Sequence, residues 1–463
     1  MKKLSLALAI VMAWVVSVLA TEVPTITPLM VNGPSKNRVN IVFLSEAYIA
    51  SQKETYFNDV EIATEELFSR SPFKEYRTSF NVSAIWVASK DSLLAVVKRG
   101  EETKTYFGLW GGLNSDLTKI DNISRTFFGK NDPIVVVLLI NDDRIEGEGG
   151  QVSGISEIGL AVNGTGRLHH DPFVNNKMFS NMVVHEFGHA LSKLKDETKG
   201  LSAMKPGQTE RDFEGPFINI TTETSRSLIS WSYWIDPITP IPTPNTGDYI
   251  GKIGLFEGAN YYRDGWYRPS KACTMGSFTD WNDMPPFCQV CREAIVKTIA
   301  KYVDPTAELV SDVGDNTTTF SIDPPEPADH PLVISWKVNG AVVATGSKNL
   351  PVTDTEIGYG RHTLSVEVAD PTEFVRYDPE KLLVRSKTWE VVSVPEPDFT
   401  GDGMVNFDDF FEFADYFGRK ALTQEVQKYD LDWDGEISFG DFFLLADQFG
   451  QELKGERMKI VEP

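Results

Sequence analysis

Apolar and polar positions fall into three successive textures along the chain. In the first, Asn37 to Leu44 (NRVNIVFL), Phe80 to Val87 and Pro133 to Ile140 (PIVVVLLI) are nearly continuous apolar runs of strand length, as in strands buried on both faces. Gln52 to Phe68 and Asn176 to Leu194 instead carry apolar residues at helical spacing. Strand, helix, strands and a second helix predict one α/β (α+β) domain with a mixed sheet. Residues 200 to 270, rich in Gly, Pro and aromatics, read as loop rather than a second core, and Arg292 to Tyr302 as a closing helix.

The second texture, residues 306 to 394, alternates in short runs: Val333 to Val338, Ala341 to Ala344, His362 to Val368 and Thr388 to Val392. With Asn339-Gly340 as a tight hairpin, it predicts an immunoglobulin-like β-sandwich. Pro395-Glu-Pro397 is a stiff linker into the third texture, an acidic tail. The expected organisation is multidomain: a leader at 1–20, the α/β domain at 21–304, the sandwich at 305–395 and a small all-α module at 396–463.

Composition narrows the function classes. With 41% hydrophobic and 24% charged residues, the 463-residue chain is not wholly disordered, collagenous or a multi-span membrane protein. A net charge of −22 with no basic patch excludes nucleic acid as a partner. From Glu396 to Pro463 there are 17 acidic against 6 basic residues, so about half the excess charge lies in about one seventh of the chain. Met1 to Ala20 has Lys2 and Lys3, an apolar run and Val18-Leu19-Ala20, the pattern of a cleaved secretion signal. A secreted or cell-surface protein without stable membrane insertion is expected, and losing the leader takes the charge to −24.

Val183-Val-His185-Glu186-Phe-Gly-His189 contains HExxH. Histidines at i and i+4 share one helix face, so both imidazoles reach one metal ion, and Glu186 stands where it can take a proton from attacking water. Given six His and 66 acidic residues, about 0.01 occurrences are expected by chance. A catalytic zinc needs a third protein ligand and an open position. The metzincin spacing HExxHxxGxxH would place Gly at 192 and His at 195, where this chain has Ser192 and Lys195. Asp196 is the expected third ligand, with Glu197 the second choice, in a loop one residue longer. His169 and His170 read as surface loop residues.

The segment Val184-His-Glu-Phe-Gly-His-Ala-Leu-Ser-Lys-Leu-Lys-Asp-Glu197 resembles the HEFGHxxxxLxDEY element of the IgA metallopeptidase family, secreted zinc endopeptidases with a metzincin-like catalytic domain; Thr198 stands where that pattern has Tyr. Asn37 to Leu44, Ile140-Asn-Asp-Asp-Arg144 with Gly147, Gly149 and Gly150, Gly254 to Tyr262, Tyr267-Arg-Pro269, Cys273-Thr-Met275 and Phe287 to Ile295 resemble further family motifs in the same order, over residues 25 to 302. The resemblance implies that Met275 is the methionine of the turn beneath the zinc. Tyr261, Tyr262 and Tyr267 are candidates for a phenol that steadies the oxyanion.

Cys273, Cys288 and Cys291 lie within nineteen residues. Cys288-Gln-Val-Cys291 is a CxxC, but a structural zinc site needs four ligands and only one further Cys is near. A disulfide from Cys273 to one of the pair is the expected state.

In the tail, Asp398 to Asp409 and Asp430 to Asp441 repeat with an offset of 32. Each places oxygens at positions 1, 3, 5, 9 and 12 of a Ca²⁺ loop with Gly at 6, and has Asp in place of Glu at 12. The candidate ligands are Asp398, Thr400, Asp402, Asn406 and Asp409 for one ion, and Asp430, Asp432, Asp434, Glu436, Ser438 and Asp441 for the other. The pair resembles type I dockerin repeats, which implies a cohesin-like or cell-surface partner, although Phe407-Asp408 and Phe439-Gly440 differ from the contacting pairs common in cellulosomal dockerins. The leading reading is a secreted zinc endopeptidase acting on protein, glycoprotein or immunoglobulin-like substrates. The opposing one is a surface-binding or docking protein whose zinc domain is inactive.

Overall fold

The computed structural model describes residues 23–91, 105–107, 117–141, 147–150, 159–164, 176–205, 207–213, 215–276, 283–313, 317–393, 395–452 and 458–461. The leader, Asp142 to Arg144 and the His169-His170 pair therefore lie outside the described residues. Within them, no helix is long and apolar enough to cross a membrane.

Six strands build the N-terminal sheet: β1 (Thr25–Met30), β2 (Val39–Glu46), β3 (Phe80–Trp86), β4 (Ile134–Ile140), β5 (Gly147–Gly150) and β6 (Gly159–Gly164), in the order β1-β3-β2-β4-β6-β5. β3, β2, β4 and β6 run parallel, while the two edge strands are antiparallel, so the sheet is mixed. The three continuous apolar runs become β2, β3 and β4, buried along their length except for the last residue of β4. β1 carries Pro28, which suits an edge where one backbone donor is dispensable.

Alternate residues of a strand face opposite sides, so the sheet feeds two cores. Val39, Ile41 and Phe43 join α1 (Lys53–Ser69), α3 (Asn176–Ser192) and α4 (Gln289–Tyr302) on one side. Val42, Leu44 and Val136 join α2 (Leu117–Phe127) on the other. α3 lies flush on β6: a Cβ placed on Gly159 would fall 2.2 Å from the Ala190 carbonyl oxygen. Arg70, the C-cap of α1, fastens α3, donating to Asn181 Oδ1 at 2.8 Å and to the Met284 carbonyl at 2.9 Å.

Residues 200 to 270 are not wholly loop, contrary to the sequence pattern. β7 (Ser202–Ala203) pairs with β9 (Tyr262–Asp264), and β8 (Phe256–Glu257) with β10 (Tyr267–Arg268). Ile220, Ala259 and Trp266 form a small separate core there, because the Trp266 indole is fully covered by aromatic neighbours such as Phe213 and Phe217.

The alternating region yields β11 (Leu309–Val313), β12 (Thr318–Ile322), β13 (Val333–Val338), β14 (Ala341–Thr345), β15 (Asn349–Val352), the single turn α5 (Asp354–Ile357), β16 (Gly360–Ala369) and β17 (Val384–Ser393). β11, β12 and β15 form one sheet; β14, β13, β16 and β17 form another, completed by β18 (Met458–Val461) from the end of the chain. Both share one core around the buried Trp336. Tyr76 Oη donates to Asp370 Oδ2 at 2.8 Å, and Arg385 Nη2 to the Ala300 carbonyl at 2.7 Å, joining the sheets to the α/β domain.

The acidic segment folds into α6 (Phe407–Ala414), the turn α7 (Gln424–Gln427) and α8 (Phe439–Asp447). It braces itself reciprocally: Gly450 donates to the Val405 carbonyl, and Gly418 to the Ile437 carbonyl, each at 2.7 Å and each 32 residues from its counterpart. β18 lies beyond the helices of the acidic segment and pairs with Glu390–Ser393 of β17.

Candidate metal centre and active site

α3 carries the HExxH residues His185, Glu186 and His189. His185, Glu186 and His189 are buried, at 6%, 5% and 7% exposure. His185 Nδ1 lies 2.7 Å from the Thr274 carbonyl and His189 Nδ1 2.6 Å from the Leu194 carbonyl. A carbonyl only accepts, so each Nδ1 bears the proton and each Nε2 keeps its lone pair for the site. The two Nε2 atoms stand 3.2 Å apart.

The helix ends without the metzincin glycine. Lys193 takes the left-handed conformation at φ 55°, its N–H donating to the His189 carbonyl at 3.0 Å. Beyond it the adjacent Asp196 and Glu197 join different groups, Asp196 the two histidines and Glu197 the three cysteines. Asp196 Oδ1 lies 3.3 Å from His185 Nε2, and Oδ2 3.6 Å from His189 Nε2. Burial raises the Asp196 carboxyl, but its contacts with the two histidine rings outweigh that and hold the group well below the ordinary carboxylate range.

These three donors fit zinc. Tetrahedral bonds of about 2.0–2.1 Å place neighbouring ligand atoms about 3.3–3.4 Å apart, and the three observed separations straddle that value. Glu197 turns instead towards Cys273, Cys288 and Cys291; burial, with Cys273 beside it, pushes its carboxyl well above its ordinary value. The expected disulfide is absent. The three cysteines are free, and Cys273 Sγ and Cys291 Sγ are 3.7 Å apart, far beyond an S–S bond of about 2.05 Å.

Met275 is fully buried beneath α3. Gly188 admits it: a Cβ there would fall 2.9 Å from Met275 Sδ and 3.1 Å from Phe287 Cε1. Of the three tyrosines, only Tyr261 hydrogen-bonds Asp196 and faces Glu186. Asn260 and Tyr261 have φ of 51° and 61°, and this left-handed pair swings the ring across the cleft. Burial and then the Asp196 carboxylate push its phenol up to about 12. Tyr262 stacks edgewise on Phe213, and Tyr267 packs on the main core.

Asn219 was not among the residues singled out from sequence. Fully buried, it accepts from Lys195 N at 2.8 Å, donates to the Lys195 carbonyl at 2.8 Å and donates to Glu197 Oε1 at 3.0 Å. It thereby holds the strand between His189 and Asp196. Nothing in Ile218-Asn219-Ile220 signals this role, because the contact is made across 24 residues.

In the acidic segment, Asp398, Asp402 and Asp409 converge, as do Asp430, Asp432 and Asp441. Asp409 Oδ1 and Oδ2 accept from Thr400 N and Asn406 N, both at 2.9 Å, and Asp441 Oδ2 accepts from Ser438 N at 2.8 Å. Burial and the facing Asp441 and Asp432 carboxylates raise Asp430 above the ordinary carboxylate value. Asn406 and Ser438 cap α6 and α8. Asp434 lies outside the converging group and accepts from Glu436 N at 2.9 Å.

A comparison with curated proteins returns no match. A family profile described as IgA Peptidase M64 matches residues 27–251 and 245–299, more than half of the chain, spanning the sheet, α3, the Met275 turn and most of α4. Its match covers the His185, His189 and Asp196 donor set, and the family is one of metallopeptidases. This chain belongs to the IgA Peptidase M64 family and is a metallopeptidase.

Proposed function

We propose that the chain is a secreted zinc endopeptidase in which His185, His189 and Asp196 hold the metal and Glu186 is the general base. The observation that carries this reading is the triangle of Nε2, Nε2 and carboxylate atoms at zinc spacing, with both Nδ1 protons committed to backbone carbonyls. Zinc held there supplies Lewis-acid polarisation of the scissile carbonyl and acidifies water. Glu186 takes the proton of the attacking water and passes it to the leaving amine. Tyr261 Oη, beside Asp196, steadies the oxyanion. β5 is a sheet edge against α3, the kind of edge to which an extended peptide can add. The substrate is therefore a stretch of unfolded or exposed polypeptide, and no feature of the site calls for an immunoglobulin in particular.

The two sheets of 309–393 are read as an immunoglobulin-like sandwich, on the alternation of β12, β13 and β16 and the buried Trp336. The acidic segment is read as a dockerin-like module binding two Ca²⁺ ions. Phe407, Phe411, Phe439 and Phe443 are all about two-thirds exposed and pair off at the 32-residue offset, which supports a partner-docking face.

The test is Glu186→Gln. Turnover of unfolded casein should fall about 10²–10⁴-fold while the protein keeps its zinc. Casein cleavage at the wild-type rate by the zinc-loaded variant would remove Glu186 from the reaction, and an inert, zinc-loaded wild type would favour the docking reading.

A further inference from the structure

Directly behind the candidate catalytic metal site lies a second convergence of donors that the reaction does not use. Cys273, on the segment leading to Met275, faces Cys288 and Cys291, which sit at the N-cap and in the first turn of α4. Glu197 completes the group from the loop after α3. One ligand atom from each of the four lies within 4.8 Å of all the others, and every one of the residues is buried.

The geometry points to a closed metal site, and we propose that Cys273, Cys288, Cys291 and Glu197 bind a second, structural zinc ion. Zn–S bonds of about 2.3 Å in a tetrahedron place sulfur atoms about 3.8 Å apart. Cys273 Sγ and Cys291 Sγ are 3.7 Å apart. Cys291 Sγ lies 3.1 Å and Cys288 Sγ 3.9 Å from Glu197 Oε1. Glu197 is 1% exposed, yet its Oε2 has no hydrogen-bond partner, an orphaned acceptor that a cation would satisfy. Cys288 N–H donates to Cys273 Sγ at 3.3 Å, the outer-shell contact a thiolate ligand takes. Cys288 sits at the N-cap of the fourteen-residue α4, whose positive end favours a thiolate there. Three sulfurs and one oxygen select a thiophilic metal, and with all four positions filled by protein the site is structural.

This ion would fasten three segments that hold the reacting site. Thr274, next to Cys273, gives its carbonyl to His185 Nδ1. Glu197 follows Asp196 and donates its own N–H to the Met275 carbonyl at 2.6 Å. The second zinc thus positions two of the three donors of the first.

The experiment is zinc counting and X-ray absorption on the full chain after calcium removal. Wild type should carry two zinc ions. His185→Ala/His189→Ala should carry one, with first-shell scattering dominated by sulfur at about 2.3 Å. Glu197→Gln should lose the sulfur-bound ion to a chelator first and fall from two ions to one. Because sulfur scattering is read on the wild type, a cysteine or Glu197 variant that fails to fold does not blunt the test. A wild type holding one ion with nitrogen and oxygen neighbours only, or a peptide map showing Cys273 disulfide-bonded to Cys288 or Cys291, would overturn the proposal. Failure of the catalytic reading is separate: it would appear as an inert enzyme whose sulfur-bound zinc is intact.

Discussion

Gly159→Ala puts the seating of the active helix to a direct test. The added methyl would lie 2.2 Å from the Ala190 carbonyl oxygen, 2.8 Å from its carbon and 2.9 Å from its Cα, all backbone atoms that no side-chain rotation can move. Restoring ordinary contact, at about 3.5 Å, needs about 1.3 Å of separation between β6 and α3. Overpacking of this kind costs about 1–3 kcal/mol. For a domain of this size that is a fall of about 2–12 °C in Tm, at about 2–4 °C per kcal/mol. Function should suffer more than stability. His185 and His189 ride on α3, whereas Asp196 is held by Asn260 N and its strand by Asn219, so the 3.3 and 3.6 Å separations cannot follow the helix. A displacement of about 1 Å at a reacting centre costs about 10²-fold in kcat/KM. Differential scanning calorimetry and casein cleavage on zinc-saturated protein read both effects. Gly247→Ala is the control: it is the same chemical change with nothing within 4 Å of the new methyl, and should be neutral or slightly stabilising. A Gly159→Ala protein with wild-type Tm and kcat/KM would refute the reasoning.

Three further outcomes are expected. Tyr261→Phe should lower kcat about 10²-fold with little change in KM or zinc content, measured by steady-state kinetics, since the lost donor is the one that steadies the oxyanion. His330, between Asp370 and Asp329 and beside the Tyr76 ring, loses basicity to burial but regains more from the two carboxylates, so its pKa is raised. A raised histidine stabilises fully below its unfolded value of about 6.5 and loses that contribution as pH climbs through the folded value; wild type should lose more Tm than His330→Gln between about pH 5.5 and about pH 8.5. Calcium titrated into calcium-free, zinc-saturated protein should raise helical circular dichroism as residues 398–447 order, and cut the net negative charge by about four units in electrophoresis. No response would leave the net −11 of Glu396 to Pro463 without a cation to balance it.

Much of the scaffold was legible because burial on both faces leaves an unbroken apolar run: β2, β3 and β4 stand out for that reason. β6, Gly159 to Gly164, was not, since Gly159 serves close packing against α3 rather than strand propensity. β1 and α2 also went unread. The HExxH helix announced itself through i,i+4 spacing, but the choice between Asp196 and Glu197 depends on where a left-handed Lys193 turns the chain. The cysteines misled because their spacing hides a fourth donor, Glu197, 76 residues before Cys273. Asn219 is invisible for a similar reason: its value lies wholly in what comes to meet it.

β18 changes what kind of object the acidic segment is. Its strand pairs antiparallel with β17, which runs directly into that segment, so both ends of the helical pair return to one sheet edge. Topologically it is an insertion between two strands of that sheet rather than a pendant on a string. A single nick near Pro395 would therefore leave it attached by the β17–β18 ladder. If the repeats grip a surface, tension would enter that sheet along neighbouring strands, in shear across several hydrogen bonds at once. That arrangement resists load better than peeling them one by one, and it would restrict the angles at which the peptidase can sweep from its anchor.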